Sequence, residues 1–321
     1  MSIENQIRTN LEENEVYLSE NLGQHILIDE EALELIGRQV ISGGNVLEIG
    51  SGPGNLTAKL TERANRVVGI EIDRQFAPVL EDLQASSPNL EVIYGDALRV
   101  NFQQIVESER DEEWQVVSNL PFHISEPFLK KVAGLPVENV VLVVGDALAR
   151  SMQITDPDSS EFSRTSFLSQ TFFETSVIAD IEKSAFYPPP RTNATAVVLT
   201  PRERDEFKSN PRLAIQHRLF LTEHKSPTVG KVIKEARDNQ VGGAGKDSHR
   251  PSRRKARQEL KQLIYEANNG GLGQGNRQDG GIGHRDDSLG LDERILSTPF
   301  SRLDNQEVRE LAKALRDKFG Q

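Results

Sequence analysis

Residues 45–57, NVLEIGSGPGNLT, constrain this chain more than any other stretch. A short strand-forming run meets three glycines within five positions and then a helix-compatible segment. Units of strand, glycine loop and helix build mostly parallel sheets with helices on both faces. Gly50, Gly52 and Gly54 let the backbone turn tightly and approach a ligand that a Cβ would repel. A bare triplet does not name that ligand, since dinucleotide sites use a similar device. Two details point away from a pyrophosphate. Glu48 stands two residues before the first glycine, an acidic placement that suits a cationic ligand. Pro53 removes a backbone N–H that a phosphate cradle would use.

The next segments repeat the pattern. Arg66 to Ile72 reads as a strand ending on Glu71, about twenty residues past the glycines, the position from which a carboxylate grips ribose hydroxyls. Leu90 to Tyr94 runs into Gly95 and Asp96, and Asp96 can accept a hydrogen bond from an adenine amino group. Trp114 to Ser118 delivers the tetrapeptide Asn119, Leu120, Pro121, Phe122 to the same strand ends. Taken alone, each acid is a solvated strand-end residue and the tetrapeptide a proline turn. Together they read as an S-adenosylmethionine pocket with an amine-methylating loop. The Asn119 side-chain oxygen and the Leu120 carbonyl accept from an exocyclic amine, and the Phe122 ring stacks on the base.

These residues resemble the KsgA-type rRNA adenine N6,N6-dimethyltransferases, relatives of the Erm resistance methyltransferases. The resemblance begins at Asn21 to Asp29, NLGQHILID, similar to the family's GQNFL motif. It continues through the glycine loop, Glu71, Asp96 and NLPF to Phe186–Leu199, FYPPPRTNATAVVL, and reaches the segments Leu291 to Leu296 and Leu303 to Ala312 near the end of the chain. It implies that His25, Leu27, Gly50, Glu71, Asp96 and Asn119 contact the cofactor, and that residues 119–122 hold the target adenine. Phe186 then stacks on the flipped base opposite Phe122. His25 stands where the family has Asn, Ile26 where it has Phe, and Phe122 where Tyr is commoner. An imidazole still donates and accepts one hydrogen bond each. The implied fold is α/β, a Rossmann-like class I methyltransferase domain with a smaller C-terminal α-helical domain. Residues 1–30 form an N-terminal arm and lid motif, 31–200 the S-adenosylmethionine-binding domain, and 201–321 a helical RNA-binding domain with a flexible glycine-rich insertion at about 240–290.

Chemistry follows from the parts. The donor methyl is already electrophilic, so the protein supplies chiefly position, a term that reaches about 7–11 kcal/mol. The proton leaves N6 after transfer, when the alkylated nitrogen is acidic, so no dedicated base is needed. The six histidines show no metal-ligand spacing, and no metal is expected. With no cysteine there are no disulfides, and with no long apolar run there is no membrane span. The polar start MSIENQ does not read as an export signal. A cytoplasmic monomer acting on ribosomal RNA or a pre-ribosomal subunit is the expectation.

Net charge is the awkward fact: 38 basic against 49 acidic residues, −11 overall. RNA binding then depends on where the cations sit. Seven concentrate between Lys246 and Lys261, and more around His217, Arg218, His224, Lys225, Lys231 and Lys234. The first cluster reads equally as RNA contact or as a solubilising segment. Rival functions stay open: large-subunit rRNA methylation conferring resistance, a non-catalytic nucleic-acid-binding relative, DNA adenine methylation, whose loop usually carries its first proline where Leu120 stands, and, more distantly, small-molecule N-methylation.

Overall fold

Seven strands form the central sheet. Among the described residues the strands are, in chain order, β1 (Ile26–Leu27), β2 (Asn45–Ile49), β3 (Arg66–Glu71), β4 (Leu90–Tyr94), β5 (Trp114–Asn119), β6 (Val140–Gly145), β7 (Phe173–Ile181), β8 (Phe186–Tyr187) and β9 (Ala194–Pro201). The computed structural model describes residues 3–107, 113–120, 125–221, 227–241 and 289–320. The sheet order is β4-β3-β2-β5-β6-β9-β7. The first five strands are parallel, and β9 lies antiparallel to both β6 and β7.

Burial on both faces explains why the inner strands read as unbroken apolar runs rather than alternating ones. Every residue of β2 and of β6 is buried. Val46, Val67, Val117 and Val141 pack with Leu33 and Ile36 of the helix Glu30–Gly37 and with Leu60 of the helix Asn55–Thr61. Asp29 caps the former helix by accepting the Ala32 N–H at 2.8 Å.

Two departures from the sequence reading concern the ends of this layer. Residues 3–13 form a helix whose Ile7 and Leu11 bury against Ile26, Phe76 and Leu80, so part of the N-terminal arm is anchored. β1 pairs with β8 in a separate two-stranded sheet, with Ile26 opposite Tyr187 and Leu27 opposite Phe186. Two residues per strand are too few to leave a periodic signal.

The chain divides into two compact units, 1–153 with 173–201, and 154–172 with 202–321. The boundary expected at 200 therefore misses an excursion: 154–172 leaves the first unit and packs with the helices of the second. The reason is apolar. Phe162 and Phe167 bury in a cluster with Ile215, Leu219, Phe300 and Leu311, and the Phe167 and Phe300 rings lie 5.6 Å apart. The last helix, Asn305–Phe319, buries Val308, Leu311, Ala312 and Leu315, one face at helical spacing, behind an Asp304–Glu307 capping box. The segment 246–261 and most of the glycine-rich insertion lie outside the described residues.

Candidate active site

All six residues expected at the cofactor line one cleft in the first unit: His25, Leu27, Gly50, Glu71, Asp96 and Asn119. The cleft holds about 1010 Å³ of space, counting the part open to solvent. That suits a ligand of nucleoside size or somewhat larger. It sits beyond the carboxyl ends of β2, β3, β4 and β5, where open parallel sheets place their ligands.

The glycine loop forms its floor. Gly50, Gly52 and Gly54 have φ of 77°, 54° and 88°, a region that side-chain-bearing residues rarely enter. A Cβ on Gly50 or Gly52 would meet no protein atom within 4 Å. Each glycine N–H is donated inside the protein: Gly50 to the Ile70 carbonyl at 2.8 Å, Gly52 to Glu71 Oε2 at 2.7 Å, and Gly54 to the Ser51 carbonyl at 2.9 Å. Pro53 has none to give. None of the loop's glycine N–H groups is left to cradle a phosphate, the usual role of such a loop in dinucleotide sites.

Glu71 is buried at the end of β3, and Asp96 stands on the rim. Glu71 Oε2 takes the Gly52 N–H, and Oε1 takes the Asp73 N–H at 2.8 Å. Burial pushes its pKa up, against the backbone N–H groups that favour the anion. The carboxylate keeps acceptor capacity for a ligand hydroxyl beyond these backbone bonds. Asp96 accepts the Leu98 N–H at 2.8 Å and lies 3.3 Å from the Arg99 guanidinium.

Asn119 closes the other end. Its Nδ2 donates to the His25 carbonyl at 2.8 Å. Only the amino side of the amide can satisfy a carbonyl, so the contact fixes the orientation and leaves Oδ1 as the acceptor. His25 is in turn held by the Pro188 carbonyl, 2.8 Å from Nδ1, which makes that nitrogen the donor. Asn55 reaches from the glycine loop to the Leu27 carbonyl at 2.9 Å. The N-terminal motif, the glycine loop, the Asn119 strand and the proline segment thus meet around β1. Pro121 and Phe122 lie outside the described residues; Leu120 is buried and its N–H donates to the Val143 carbonyl.

Three expectations change. Phe186, expected to stack on a flipped base, is only 4% exposed and belongs to the apolar cluster of Leu27 and Leu33. Pairing of β8 with β1 puts it there, and as placed the ring is a core residue rather than an open face. Glu48 does not line the cleft; it is buried beneath the loop, where Oε2 accepts Ser51 Oγ at 2.9 Å and Thr57 Oγ1 at 2.6 Å. In the basic cluster of the second unit, His217 is no surface cation. It packs 4.6 Å from the Phe207 ring and 5.4 Å from that of Phe172, and burial lowers its pKa to about 4. Arg218 is paired with Glu235 at 2.7 Å, while Lys231 and Lys234 are exposed. His224 and Lys225 lie outside the described residues.

Sequence reasoning missed Ile72 and Gln24, which also line the cleft. Ile72 is 53% exposed and presents an apolar surface to the cleft. Its signal was available: an isoleucine directly after Glu71, where a strand leaves the sheet. Among the described residues no group of three acidic or histidine side chains could hold a metal ion, and no helix is long and apolar enough to cross a membrane.

Comparison with known proteins agrees with this geometry. A chain of the crystal structure of a dimethyladenosine transferase from Plasmodium falciparum superposes with a TM-score of 0.52 at 21% identity, covering 92% of this chain and 99% of that one. That likeness is one of fold. Ribosomal RNA small subunit methyltransferase A of Clostridioides difficile is 31% identical over 59% of this chain and 67% of its own length. The protein of that name from Shouchella clausii is 28% identical over 80% of this chain and 92% of its own. The sequence profile described as ribosomal RNA adenine dimethylase matches residues 18–236, which spans the glycine loop, Asn119 and the proline segment alike, and the chain belongs to that family.

Proposed function

We propose that this protein transfers methyl groups from S-adenosylmethionine to N6 of adenine in small-subunit ribosomal RNA, twice at each target, as a monomer in the cytoplasm. The observation that carries the reading is the Asn119 amide, whose Nδ2 is committed to His25 while Oδ1 is left as a fixed acceptor at the cleft. The residues fit the cofactor on their own chemistry. Open space over Gly50 and Gly52 admits a ligand close to the backbone. Glu71 has acceptor capacity left for a ribose diol, and Asp96 accepts from an adenine amino group. A cleft edged by Glu71 and Asp96, with no free glycine N–H, favours a cationic ligand over a phosphate.

S-adenosylmethionine supplies an electrophilic methyl group. In the first transfer Asn119 Oδ1 and the Leu120 carbonyl hold the two N6 hydrogens of the adenine and so fix the direction of the nitrogen lone pair, and in the second the one hydrogen left on N6 bonds to one of these two acceptors. The hydrogen bond from Asn119 to His25 keeps Oδ1 in place between the first and second transfers. No side chain takes the proton, which passes to solvent from an already acidic nitrogen.

Calorimetric titration with S-adenosylmethionine and with NAD tests the cleft, and nucleoside mass spectrometry of small-subunit rRNA after incubation tests the chemistry. Cofactor binding, no NAD signal and N6,N6-dimethyladenosine in the digest are expected. NAD binding, or product that stops at the monomethyl stage with excess cofactor, contradicts the proposal.

A further inference from the structure

The segment from Val16 to Gln24 is strapped to the cleft by hydrogen bonds that methyl transfer itself does not call on. Leu22, Gly23 and Gln24 form part of the cleft wall, and Gly23 turns in the left-handed region at φ 65°. Gln24 Oε1 accepts the Ser19 N–H at 2.6 Å, which orients the amide so that Nε2 donates to Asp73 Oδ2 at 2.8 Å. Asp73 Oδ1 takes the Gln75 N–H at 3.0 Å, and Gln75 Oε1 accepts the Tyr17 N–H at 3.3 Å. Asp73 is itself buried, and its own N–H is donated to Glu71 Oε1. One residue therefore receives the strap on its side chain and supports the β3 acid with its main chain.

We propose that Gln24 and Asp73 form a latch that couples closure of the strap over the cleft to occupation of Glu71 by the cofactor's ribose. The inference rests on the reading of this cleft as the cofactor site. Both Glu71 oxygens already accept backbone N–H groups, from Gly52 and from Asp73. Ligand hydroxyls that fix the carboxylate also fix the Asp73 backbone, and with it the acceptor that Gln24 needs. Coupling of this kind is reciprocal: the factor by which a closed strap tightens the ligand is the factor by which the ligand favours the closed strap. Gln24 and Asp73 are positioning residues on this view, acting through Glu71 and the strap rather than on the reacting atoms.

Gln24→Glu is the informative variant. It keeps an acceptor for the Ser19 N–H but turns a second carboxylate oxygen toward Asp73. Adding Asp73→Asn restores a donor–acceptor pair with reversed polarity, because the new amide donates to the introduced carboxylate while its oxygen keeps the Gln75 N–H. Gln24→Ala removes the latch without introducing charge and covers the case in which Gln24→Glu fails to fold. S-adenosylhomocysteine is titrated into each variant, and hydrogen–deuterium exchange of residues 16–24 is followed with and without it. Loss of a hydrogen bond to a carboxylate predicts a Kd raised roughly 10–100-fold in Gln24→Glu and Gln24→Ala. The ligand should slow strap exchange in the parent and not in these variants, and the double variant should recover both properties. Unchanged affinity in both single variants, or failure of the double variant to recover, overturns the latch. If the parent does not bind S-adenosylhomocysteine, the cofactor reading fails and the coupling with it. That case is told apart because Gln24→Glu still speeds strap exchange in the free protein.

Discussion

Replacing Glu48 by Gln separates a titrating group from a merely buried one. The Glu48 side chain is 1% exposed, with Oε2 bonded to two hydroxyls and Oε1 lacking a hydrogen-bond partner. Burial drives its pKa from the ordinary 4.5 up to about 7, against the pull of Thr57 and Ser51 and with help from the Glu71 charge. The folded-state value lies above the unfolded one, so the folded protein holds a proton that the unfolded chain has released. The stability contributed by the neutral acid is present in full below pH 4.5 and is lost as pH rises to about 7. At about 1.36 kcal/mol per pH unit the loss across this window is roughly 3 kcal/mol. The amide of the Glu48→Gln variant stays neutral throughout and reproduces the acceptor for Ser51 and Thr57. Urea unfolding of parent and variant from pH 4.5 to 8 tests this, with fluorescence of Trp114, the only tryptophan and a buried residue of the first unit, as the probe. The variant should gain on the parent by roughly 3 kcal/mol from the bottom of the range to pH 7 and then hold that lead. A constant offset reports only how well the amide fits. A difference that does not vary with pH refutes the argument.

Three further outcomes follow from the same structure. His217, whose pKa burial lowers to about 4, supports stability above its ordinary 6.5 and loses it as pH falls toward 4; His217→Phe should remove roughly 3 kcal/mol of acid sensitivity from the second unit, and equal acid midpoints by circular dichroism would argue against it. Glu71→Ala should weaken S-adenosylmethionine by roughly 1.5–3 kcal/mol, and an unchanged Kd would leave Glu71 as a brace for Gly52 and Asp73 alone. Gly52→Ala should cost about 1–2 kcal/mol of stability because of its φ of 54° and should also weaken the cofactor, since the new Cβ projects into open space. Full affinity in that variant would show that the ligand keeps its distance from the loop.

Much of the first unit was legible because its signals are local. β2 matches the expected apolar run and the glycine loop sits where three glycines demanded it; β3 ends on Glu71 as read, with Ile72 outside it. Gly50, Glu71, Asp96 and Asn119 come together because parallel strands in one register bring their carboxyl ends to one edge, which spacing along the sequence already implied, while His25 and Leu27 reach the cleft on β1, outside that sheet. What escaped depends on pairing between distant segments. Nothing near Phe186 announces that two residues of β8 will pair with Ile26 and Leu27, yet that pairing is what turns its ring into core. Glu48 looked like a ligand for a cation because its distance from the glycines was visible and its hydroxyl partners were not. The transfer of 154–172 to the second unit was hidden for a related reason: Phe162 and Phe167 are apolar in any context, and only partners beyond residue 210 decide which core they join. The polar run TDPDSSE at 155–161 does mark the break, but nothing local to it says which core the residues after it will join.

Transfer of tritium from labelled S-adenosylmethionine to separated small- and large-subunit rRNA, by the parent and by Asn119→Ala, bears most directly on the central claim. The account predicts label in the small-subunit RNA, recovered as N6,N6-dimethyladenosine, and a loss on the order of 10²-fold or more in the variant, the scale of removing one oriented polar group from a reacting centre. Label confined to the large-subunit RNA, or an Asn119→Ala protein as active as its parent, contradicts it.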